Sequence, residues 1–264
     1  MNCKYDLIET EWLASNLDKV IVLDGSWYLP AQNRNPKKEF EESHIPGSQF
    51  FDIDLISDKK NPLPHMIPDS ETFENHARKL GIDNFDQIIV YDGMGLQSAA
   101  RAWWTFKLFG HTKVGILNGG FPKWVSENLP TEKNITKRNK SNFQAEFKKN
   151  LIRNYSQVLK NIEDNKEQIL DARSNGRFRG IEPEPRKNLL SGHIPGSINL
   201  PFQELILESN KTLKSLEEIK EQFINHGITF KKPIINSCGS GITASILAFC
   251  LHLIGYKDFS VYDG

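Results

Sequence analysis

The chain has 264 residues, enough for one large domain or for two domains of ordinary size. Hydrophobic residues make up 38% of the sequence and charged residues 25%, a balance that excludes an intrinsically disordered chain. The 33 basic and 33 acidic side chains cancel, so net charge gives no attraction to nucleic acid or to an anionic membrane, and we expect neither as a partner.

The cysteines and the amino-terminal residues indicate the cellular compartment in which the protein is expected. The three cysteines, Cys3, Cys238 and Cys250, are too few and too scattered for a disulfide framework or a four-ligand zinc site. The first residues lack a basic segment followed by an apolar run, and no window approaches 18 apolar residues. We therefore expect a cytoplasmic protein without a metal site.

The two halves of the chain carry the same sequence marks in the same order. The first half shows VIVLDGS (20–26), SHIPGSQFFDI (43–53), IIVYDGMGLQSAARAWW (88–104) and LFGHTKVGILNGG (108–120). The second half has QILDARS (168–174), GHIPGSINLPF (192–202), IINSCGSGITASILAFC (234–250) and LIGYKDFSVYDG (253–264) at the matching places. This internal repeat predicts two domains with one common fold.

Each repeat alternates short apolar strands with stretches of helical spacing. This alternation is typical of βαβ units, so we predict two α/β domains, each a mostly parallel sheet flanked by helices. We place the domains at residues 1–127 and 151–264, joined by a polar, Lys- and Asn-rich linker at 128–150. The second repeat stops at Gly264, where the first continues with FPKW, so we expect the second domain to be shorter at its carboxyl end.

Cys238 stands where the first repeat has Asp92, after an apolar strand and before a helix. In open α/β sheets, ligands bind at this carboxyl end of the strands. The Gly-Ser-Gly turn and the first turn of the helix direct backbone N–H groups into such a loop, which favours a thiolate and makes Cys238 a candidate nucleophile. Cys250, on the following helix, and Cys3 are interpreted as inert thiols.

Three chemistries use a cysteine in a loop of this kind. A tyrosine-phosphatase-like site needs an arginine where this chain has Ala244, and a thioredoxin-like site needs a second cysteine where it has Gly241. Sulfur transfer needs neither residue, because the thiolate accepts a sulfane sulfur, holds it as a persulfide and passes it on. A catalytically idle binding module remains a further alternative.

The segment CGSGITA (238–244) resembles the active loop of 3-mercaptopyruvate sulfurtransferases, which belong to the tandem rhodanese family. GRFRGIEPEPR (176–186), the paired HIPGS segments and WYLP (27–30) are similar to further motifs of that family, and the resemblance covers nearly the whole chain. It implies a catalytically inactive first domain and a catalytic second one. The implied activity moves sulfane sulfur from 3-mercaptopyruvate through a cysteine persulfide to an acceptor and releases pyruvate. The acceptor would be cyanide or a thiol, such as a thioredoxin-like protein or a small thiol, and no cofactor is implied.

The two residues after Cys238 bear on the choice of sulfur donor. The family members that use thiosulfate have arginine and lysine there, and two cations suit a dianionic donor. This chain has Gly239 and Ser240 instead. The neutral loop favours mercaptopyruvate, whose charge lies away from the reacting sulfur, and thiosulfate sulfurtransferase remains the alternative.

The resemblance also assigns residues to roles. Cys238 is the nucleophile, and Ser240, His65 and Asp54 match a proposed Ser-His-Asp proton relay. Arginines suit the carboxylate and keto oxygen of the donor because the guanidinium forms two parallel bonds. The donor-binding residues implied in this way are Arg177, Arg186, Gly239, Gly241, Ile242 and Thr243.

His44 and His193 open the two HIPGS segments. Because this histidine recurs in the half that has no nucleophile, we interpret both as structural residues that hydrogen-bond within a turn. The tryptophans of ARAWW (100–104) lie in a stretch with apolar residues at helical spacing and are interpreted as core residues.

Overall fold

The computed structural model describes residues 6–186 and 189–264, so Cys3 lies outside the described part. The chain divides into two compact units. Unit 1 comprises Met1–Lys148 together with Glu208–Leu213, and unit 2 comprises Lys149–Leu207 together with Lys214–Gly264. No helix within the described ranges is both long enough and apolar enough to cross a bilayer.

Unit 1 is a five-stranded parallel sheet with flanking helices. Its strands are β1 (Leu7–Ile8), β2 (Ile21–Asp24), β3 (Gln49–Phe50), β4 (Ile88–Tyr91) and β5 (Val114–Leu117), in the order β1-β5-β4-β2-β3. Its helices are α1 (Thr10–Ala14), α2 (Pro36–Glu42), α3 (Ile53–Ile56), α4 (Ser70–Lys79), α5 (Ala99–Leu108) and α6 (Gly120–Ser126). Strand β4 is buried along its whole length, as expected for a continuous apolar run in the middle of a parallel sheet.

Unit 2 repeats this arrangement. Its strands are β6 (Ile152–Arg153), β7 (Gln168–Asp171), β8 (Ile198–Asn199), β9 (Ile234–Ser237) and β10 (Phe259–Tyr262), in the order β6-β10-β9-β7-β8 and all parallel. Its helices are α7 (Tyr155–Asp164), α8 (Asn175–Phe178), α9 (Leu216–Asn225) and α10 (Ala244–Leu253). The predicted fold class, two α/β domains with parallel sheets flanked by helices, is confirmed.

The cores are built from the apolar positions of the repeat. Trp103 and Trp104 on α5 are almost fully buried, which agrees with their interpretation as core residues. Cys250 lies on the buried side of α10 and has no exposed surface, and this burial raises the pKa of its thiol. Cys250 is therefore a small apolar core residue.

The predicted linker, residues 128–150, packs on unit 1 as far as Lys148. Phe143 is fully buried, with its ring centroid 5.7 Å from that of Phe73. The backbone N–H of Lys148 donates to the Leu108 carbonyl at 2.7 Å. Aromatic contacts of Phe143 and Phe147, together with backbone and side-chain hydrogen bonds, thus hold on unit 1 a segment whose polar composition predicted a linker.

Residues 208–213, which we call the strap, also belong to unit 1. The backbone N–H of Leu213 donates to Asn118 Oδ1 at 2.9 Å. Gly95 has a φ of +113°, and a Cβ at this residue would lie 2.3 Å from the Cβ of Lys211. Residue 95 must therefore be glycine for two reasons, its backbone conformation and the close approach of the strap.

Candidate active site

Strand β9 delivers Cys238 at its carboxyl end, and α10 begins at Ala244. We call residues 238–245 the Cys238 loop. The thiol is free and half-buried, and its Sγ accepts the backbone N–H of Gly241 at 3.1 Å. Gly241 has a φ of +76°, a conformation that glycine adopts without strain and that turns its N–H back toward the sulfur.

Helix α10 begins without a side-chain cap. Its N-cap residue is Thr243, whose side chain makes no capping hydrogen bond. The positive end of a ten-residue helix therefore points at the loop that carries the thiol. This arrangement favours a negative charge on the sulfur.

The first repeat shows what the same loop does with a permanent anion. In the Asp92 loop, residues 92–99, Asp92 has no exposed surface and accepts four backbone N–H bonds. The donors are Met94 at 2.8 Å, Gly95 at 3.0 Å, Gln97 at 2.7 Å and Ala99 at 2.8 Å. The carboxylate thereby caps α5, whose N-cap residue, Ser98, gives no side-chain bond. The loop that follows the central strand of this repeat is therefore an anion-binding loop.

The predicted donor-binding arginines lie beside the Cys238 loop. Arg186 Nη1 donates to the Gly239 carbonyl at 3.0 Å. Arg177 Nη2 would lie 3.1 Å from a Cβ on residue 239, so this guanidinium stands against the loop backbone. The structure thus brings Arg177 and Arg186 to the cysteine loop of unit 2, where they can contact a small anionic donor.

Glu184 fixes the position of Arg177. Its carboxylate accepts Nη2 of Arg177 at 2.6 Å and Nη1 of Arg173 at 2.8 Å, and its side chain is only 4% exposed. Burial acts to raise the pKa of Glu184, but the hydrogen bonds and charges of Arg177 and Arg173 outweigh it and lower that pKa. The Arg177–Glu184 pair is therefore a buried, bridged pair and not a loose pair on the surface.

Arg173 is fully occupied within this network. It pairs with Asp171 at 2.6 Å, bonds Glu184, and donates to the Gly192 carbonyl at 2.7 Å. Its two carboxylate partners and the two guanidiniums cancel, so the cluster adds no net charge next to the loop. We interpret Arg173 as a residue that holds Glu184 in place.

Asp54 and His65, two members of the predicted relay, are brought together in unit 1. His65 Nε2 lies 3.0 Å from Asp54 Oδ1, and the Trp27 indole N–H donates to Asp54 Oδ2 at 3.1 Å. The hydrogen bond from His65 is the main cause that lowers the pKa of Asp54, with burial opposing it. His65 is buried and has a φ of +60°. Ser240, the third member, lies in the Cys238 loop of unit 2, and the complete relay stays a prediction.

His44 and His193 make the same local contacts in the two units. His44 Nδ1 bonds the Phe40 carbonyl at 2.6 Å, and His193 Nδ1 bonds the Phe178 carbonyl at 2.8 Å. Each imidazole also stacks on that same phenylalanine, with ring centroids 4.1 Å and 3.9 Å apart. These matching contacts favour the structural interpretation of both histidines.

Comparison with known proteins identifies the family. The model of the rhodanese-like domain matches residues 9–127 and again residues 154–264. The chain belongs to the rhodanese family. This rhodanese is 43% identical to the mitochondrial thiosulfate/3-mercaptopyruvate sulfurtransferase 1 of Arabidopsis thaliana, over 98% of this chain and 74% of that protein. It is 40% identical to the human 3-mercaptopyruvate sulfurtransferase, over 98% of this chain and 89% of that protein.

A solved structure agrees with this assignment. The crystal structure of SseA from Escherichia coli, described as a 3-mercaptopyruvate sulfotransferase, superimposes on this rhodanese with a TM-score of 0.90. The two chains are 37% identical, and the match covers 98% of this chain and 97% of that one. The family resemblance inferred from the sequence motifs is therefore confirmed.

Two contributors to the site were not assigned a role from sequence. Trp27 belongs to the WYLP motif, but only the structure shows that its indole holds Asp54. Glu184 lies in the GRFRGIEPEPR segment, but its bridging of two arginines depends on burial and is seen only in the structure. Within residues 6–186 and 189–264, no group of histidine, cysteine or acidic side chains is arranged to hold a metal ion.

Proposed function

We propose that this protein is a 3-mercaptopyruvate sulfurtransferase in which Cys238 carries the sulfur. The single observation that carries the proposal is the position of Cys238 in a loop whose counterpart in unit 1 holds the Asp92 carboxylate with four N–H bonds. The names of the human protein and of SseA support mercaptopyruvate as the donor.

In the first half of the reaction, the Cys238 thiolate attacks the sulfur of the donor and forms an S–S bond. The C–S bond of the donor breaks, and its electron pair stays on carbon as the enolate of pyruvate. A proton is added to that carbon, and the proton of the donor thiol is released or kept on the persulfide, so that pyruvate leaves and one sulfur remains. In the second half, an acceptor thiolate or cyanide attacks the outer sulfur and restores the Cys238 thiolate.

The Asp92 loop supports a specific binding mode for the persulfide. The outer sulfur is attached to Sγ as a carboxylate oxygen is attached to the Cγ of aspartate, two bonds from Cβ in both cases. By the repeat, the N–H donors around Asp92 correspond to those of Ser240, Gly241, Thr243 and Ser245. We assign these backbone groups to the persulfide anion, which would also cap α10.

For donor binding we assign Arg177 and Arg186 to the carboxylate and keto oxygen. Nε and Nη2 of Arg177 donate hydrogen bonds to Glu184, and we assign its Nη1 to the carboxylate or keto oxygen of the sulfur donor. Gly239, Gly241, Ile242 and Thr243 line the loop that receives the reacting sulfur. For the proton transfers we assign Ser240 with His65 and Asp54, since Asp54 fixes the orientation of the imidazole.

Thiosulfate sulfurtransferase is the second candidate, because the name of the Arabidopsis relative includes both donors. The balanced cluster of Asp171, Arg173, Arg177 and Glu184 and the uncharged residues 239 and 240 favour a donor with less charge than the thiosulfate dianion. Comparing kcat/KM for the two donors decides between them. A preference for thiosulfate would overturn this charge argument.

The acceptor and the location are also part of the proposal. We propose a small thiol or a thioredoxin-like protein as the acceptor, because both offer a thiolate. We propose a cytoplasmic location, which is compatible with the free thiols of Cys238 and Cys250. Cell fractionation with an antibody against the native protein tests the location.

The decisive experiment treats the protein with mercaptopyruvate and measures its intact mass. We expect a gain of one sulfur atom and the release of pyruvate, both abolished by Cys238→Ser. Cys250→Ser is the matched control, because it replaces the buried thiol of α10, and it should keep the mass gain. Pyruvate release by Cys238→Ser, or no mass gain in the unaltered protein, would contradict the proposal and favour an idle binding module.

A further inference from the structure

We propose that Ser245 is a positioning residue that keeps the empty Cys238 loop in its anion-binding shape between rounds of sulfur transfer. Its side chain has no exposed surface, and its Oγ donates to the Gly241 carbonyl at 2.7 Å. The importance of Ser245 for turnover rests on the proposed function. Its effect on the thiol does not, and the two can be measured separately.

Gly241 is the residue on which the loop geometry depends. Its N–H donates to Cys238 Sγ at 3.1 Å, and its carbonyl accepts the Ser245 hydroxyl. With a φ of +76°, Gly241 also lacks a side chain that could restrict its rotation. A bond to its carbonyl therefore holds the residue that presents the N–H group to the sulfur.

The hydroxyl and the backbone N–H of Ser245 bond different carbonyl groups. The Ser245 N–H bonds the Ile242 carbonyl at 3.2 Å, while the hydroxyl reaches back beyond the start of α10 to Gly241. Serine hydroxyls commonly bond the carbonyl four residues earlier inside a helix. Here that carbonyl belongs to the catalytic loop, so the bond ties the loop to the helix.

The first repeat explains why only one loop has this hydroxyl. Ala99 occupies the position of Ser245 in the Asp92 loop, and its N–H is bonded by the Asp92 carboxylate at 2.8 Å. A permanent charge with four N–H partners holds that loop, and a hydroxyl is not needed. In the empty Cys238 loop the sulfur accepts the Gly241 N–H, where Asp92 accepts four such groups, so the Ser245 hydroxyl supplies a further bond that holds the loop.

The first test measures the reactivity of Cys238 without using the sulfurtransferase activity. Ser245→Ala should slow alkylation of Cys238 by iodoacetamide at neutral pH about fivefold, the effect of losing roughly one hydrogen bond's worth of thiolate stabilisation. The pH profile of alkylation should move to higher pH by a corresponding amount. Mass spectrometry of the peptide that contains Cys238 separates this thiol from the other cysteines.

Two variants control for simple loss of packing. Thr105→Val removes a similar bond in α5, where Thr105 Oγ1 donates to the Arg101 carbonyl at 2.8 Å, and it should leave Cys238 alkylation unchanged. Ser245→Thr keeps a hydroxyl and should alkylate within about twofold of the unaltered protein. An unchanged rate in Ser245→Ala, or an equally slow rate in Ser245→Thr and Ser245→Ala, would overturn the proposal.

A double-mutant cycle tests the link between the hydroxyl and the anion. Cys238→Asp places in this loop the carboxylate that Asp92 provides in the other. Ser245→Ala should therefore lower the Tm less in the Cys238→Asp background than in the unaltered chain. Equal losses of Tm in the two backgrounds would show that the hydroxyl and the anion act independently, which contradicts the proposal. Because neither readout needs turnover, a failure here is distinct from a failure of the proposed activity.

Discussion

At the scale of single residues, the contacts of Asp54 hold the imidazole of His65, which is the histidine of the predicted proton relay. Its two oxygens are shared between His65 and the Trp27 indole, at 3.0 and 3.1 Å. The Trp27 ring also meets His65 edge to face, with centroids 4.7 Å apart. Asp54 and Trp27 therefore fix one orientation of the His65 imidazole.

Asp54→Asn should lower kcat with mercaptopyruvate about tenfold, because the amide does not stabilise an imidazolium and changes the preferred tautomer. Steady-state kinetics with the purified protein measures this change. Asp52→Asn, two residues earlier, is the matched control: Asp52 accepts the Leu55 N–H at 2.9 Å as a helix cap, and asparagine can do the same. If the two variants lose activity equally, loss of negative charge and not the relay explains the effect.

At the scale of elements, the central strand, the loop and the following helix form one functional piece in each unit. Its position could be predicted from sequence, because an apolar strand followed by a glycine-rich turn leaves few alternatives for the loop. The arginines could be placed near the loop only by resemblance. Their fixed geometry could not be predicted, since it depends on the burial of Glu184 and on its bridge to Arg173.

The packing of residues 128–148 and of the strap on unit 1 could not be predicted from the sequence either. Phe143 and Phe147 lie in an otherwise polar stretch, and no periodic spacing of apolar residues predicts the burial of Phe143. The backbone N–H of Leu213 in the strap bonds Asn118, and Lys211 packs against Gly95, where no side chain blocks it. Contacts of this kind leave no periodic pattern, so they can be found only in the folded chain.

Cys238→Asp should stabilise the protein although it abolishes sulfur transfer. The aspartate would accept N–H groups at the start of α10, as Asp92 does for α5, and a helix cap is worth about 1 kcal/mol. Thermal unfolding should show a rise of about 2 °C in Tm relative to Cys238→Ser. The reciprocal change, Asp92→Ala, should lower the Tm, and a Cys238→Asp variant less stable than Cys238→Ser would contradict this view of the loop.

At the scale of the whole molecule, each unit buries an aspartate at the end of a matching strand, but the two carboxyl groups have different partners. Asp24 and Asp171 end the matching strands β2 and β7, and both are buried. Asp171 pairs with Arg173 at 2.6 Å, whereas Asp24 has only Ser26 at the corresponding place. Burial, assisted by the charge of Asp92 and opposed by bonds from Ser26, raises the pKa of Asp24 to about 7.

This difference predicts opposite effects of one substitution. Asp24 binds a proton in the folded state between about pH 4 and 7 but not in the unfolded chain, so its ionisation costs stability as pH rises through that window. Asp24→Asn should therefore stabilise the protein at pH 8, on the order of 2 kcal/mol, and have little effect near pH 4. Asp171→Asn should destabilise it by about 3 kcal/mol at pH 8, because Arg173 loses one of its two buried carboxylate partners.

Urea unfolding of both variants at pH 5 and pH 8 measures these changes. The gain for Asp24→Asn must grow with pH, since the cost that it removes is absent while Asp24 is protonated in both states. A gain that is the same at both pH values would mean that improved packing, and not ionisation, is responsible. Destabilisation by Asp24→Asn at pH 8 would show that the carboxylate has a cationic partner after all.

On the proposed mechanism, the contrast between the two loops sets how tightly the sulfur is held on Cys238. In the described residues, Cys238 Sγ receives the Gly241 N–H alone, whereas Asp92 receives four such groups. Every N–H group that bonds the persulfide makes the loaded protein longer-lived and the acceptor's attack slower. On the proposed mechanism, the persulfide gains three further N–H bonds when sulfur is loaded, and the acceptor must overcome that gain to remove the sulfur. The number of N–H groups that bond the outer sulfur would therefore set both the lifetime of the loaded protein and the rate at which an acceptor removes the sulfur.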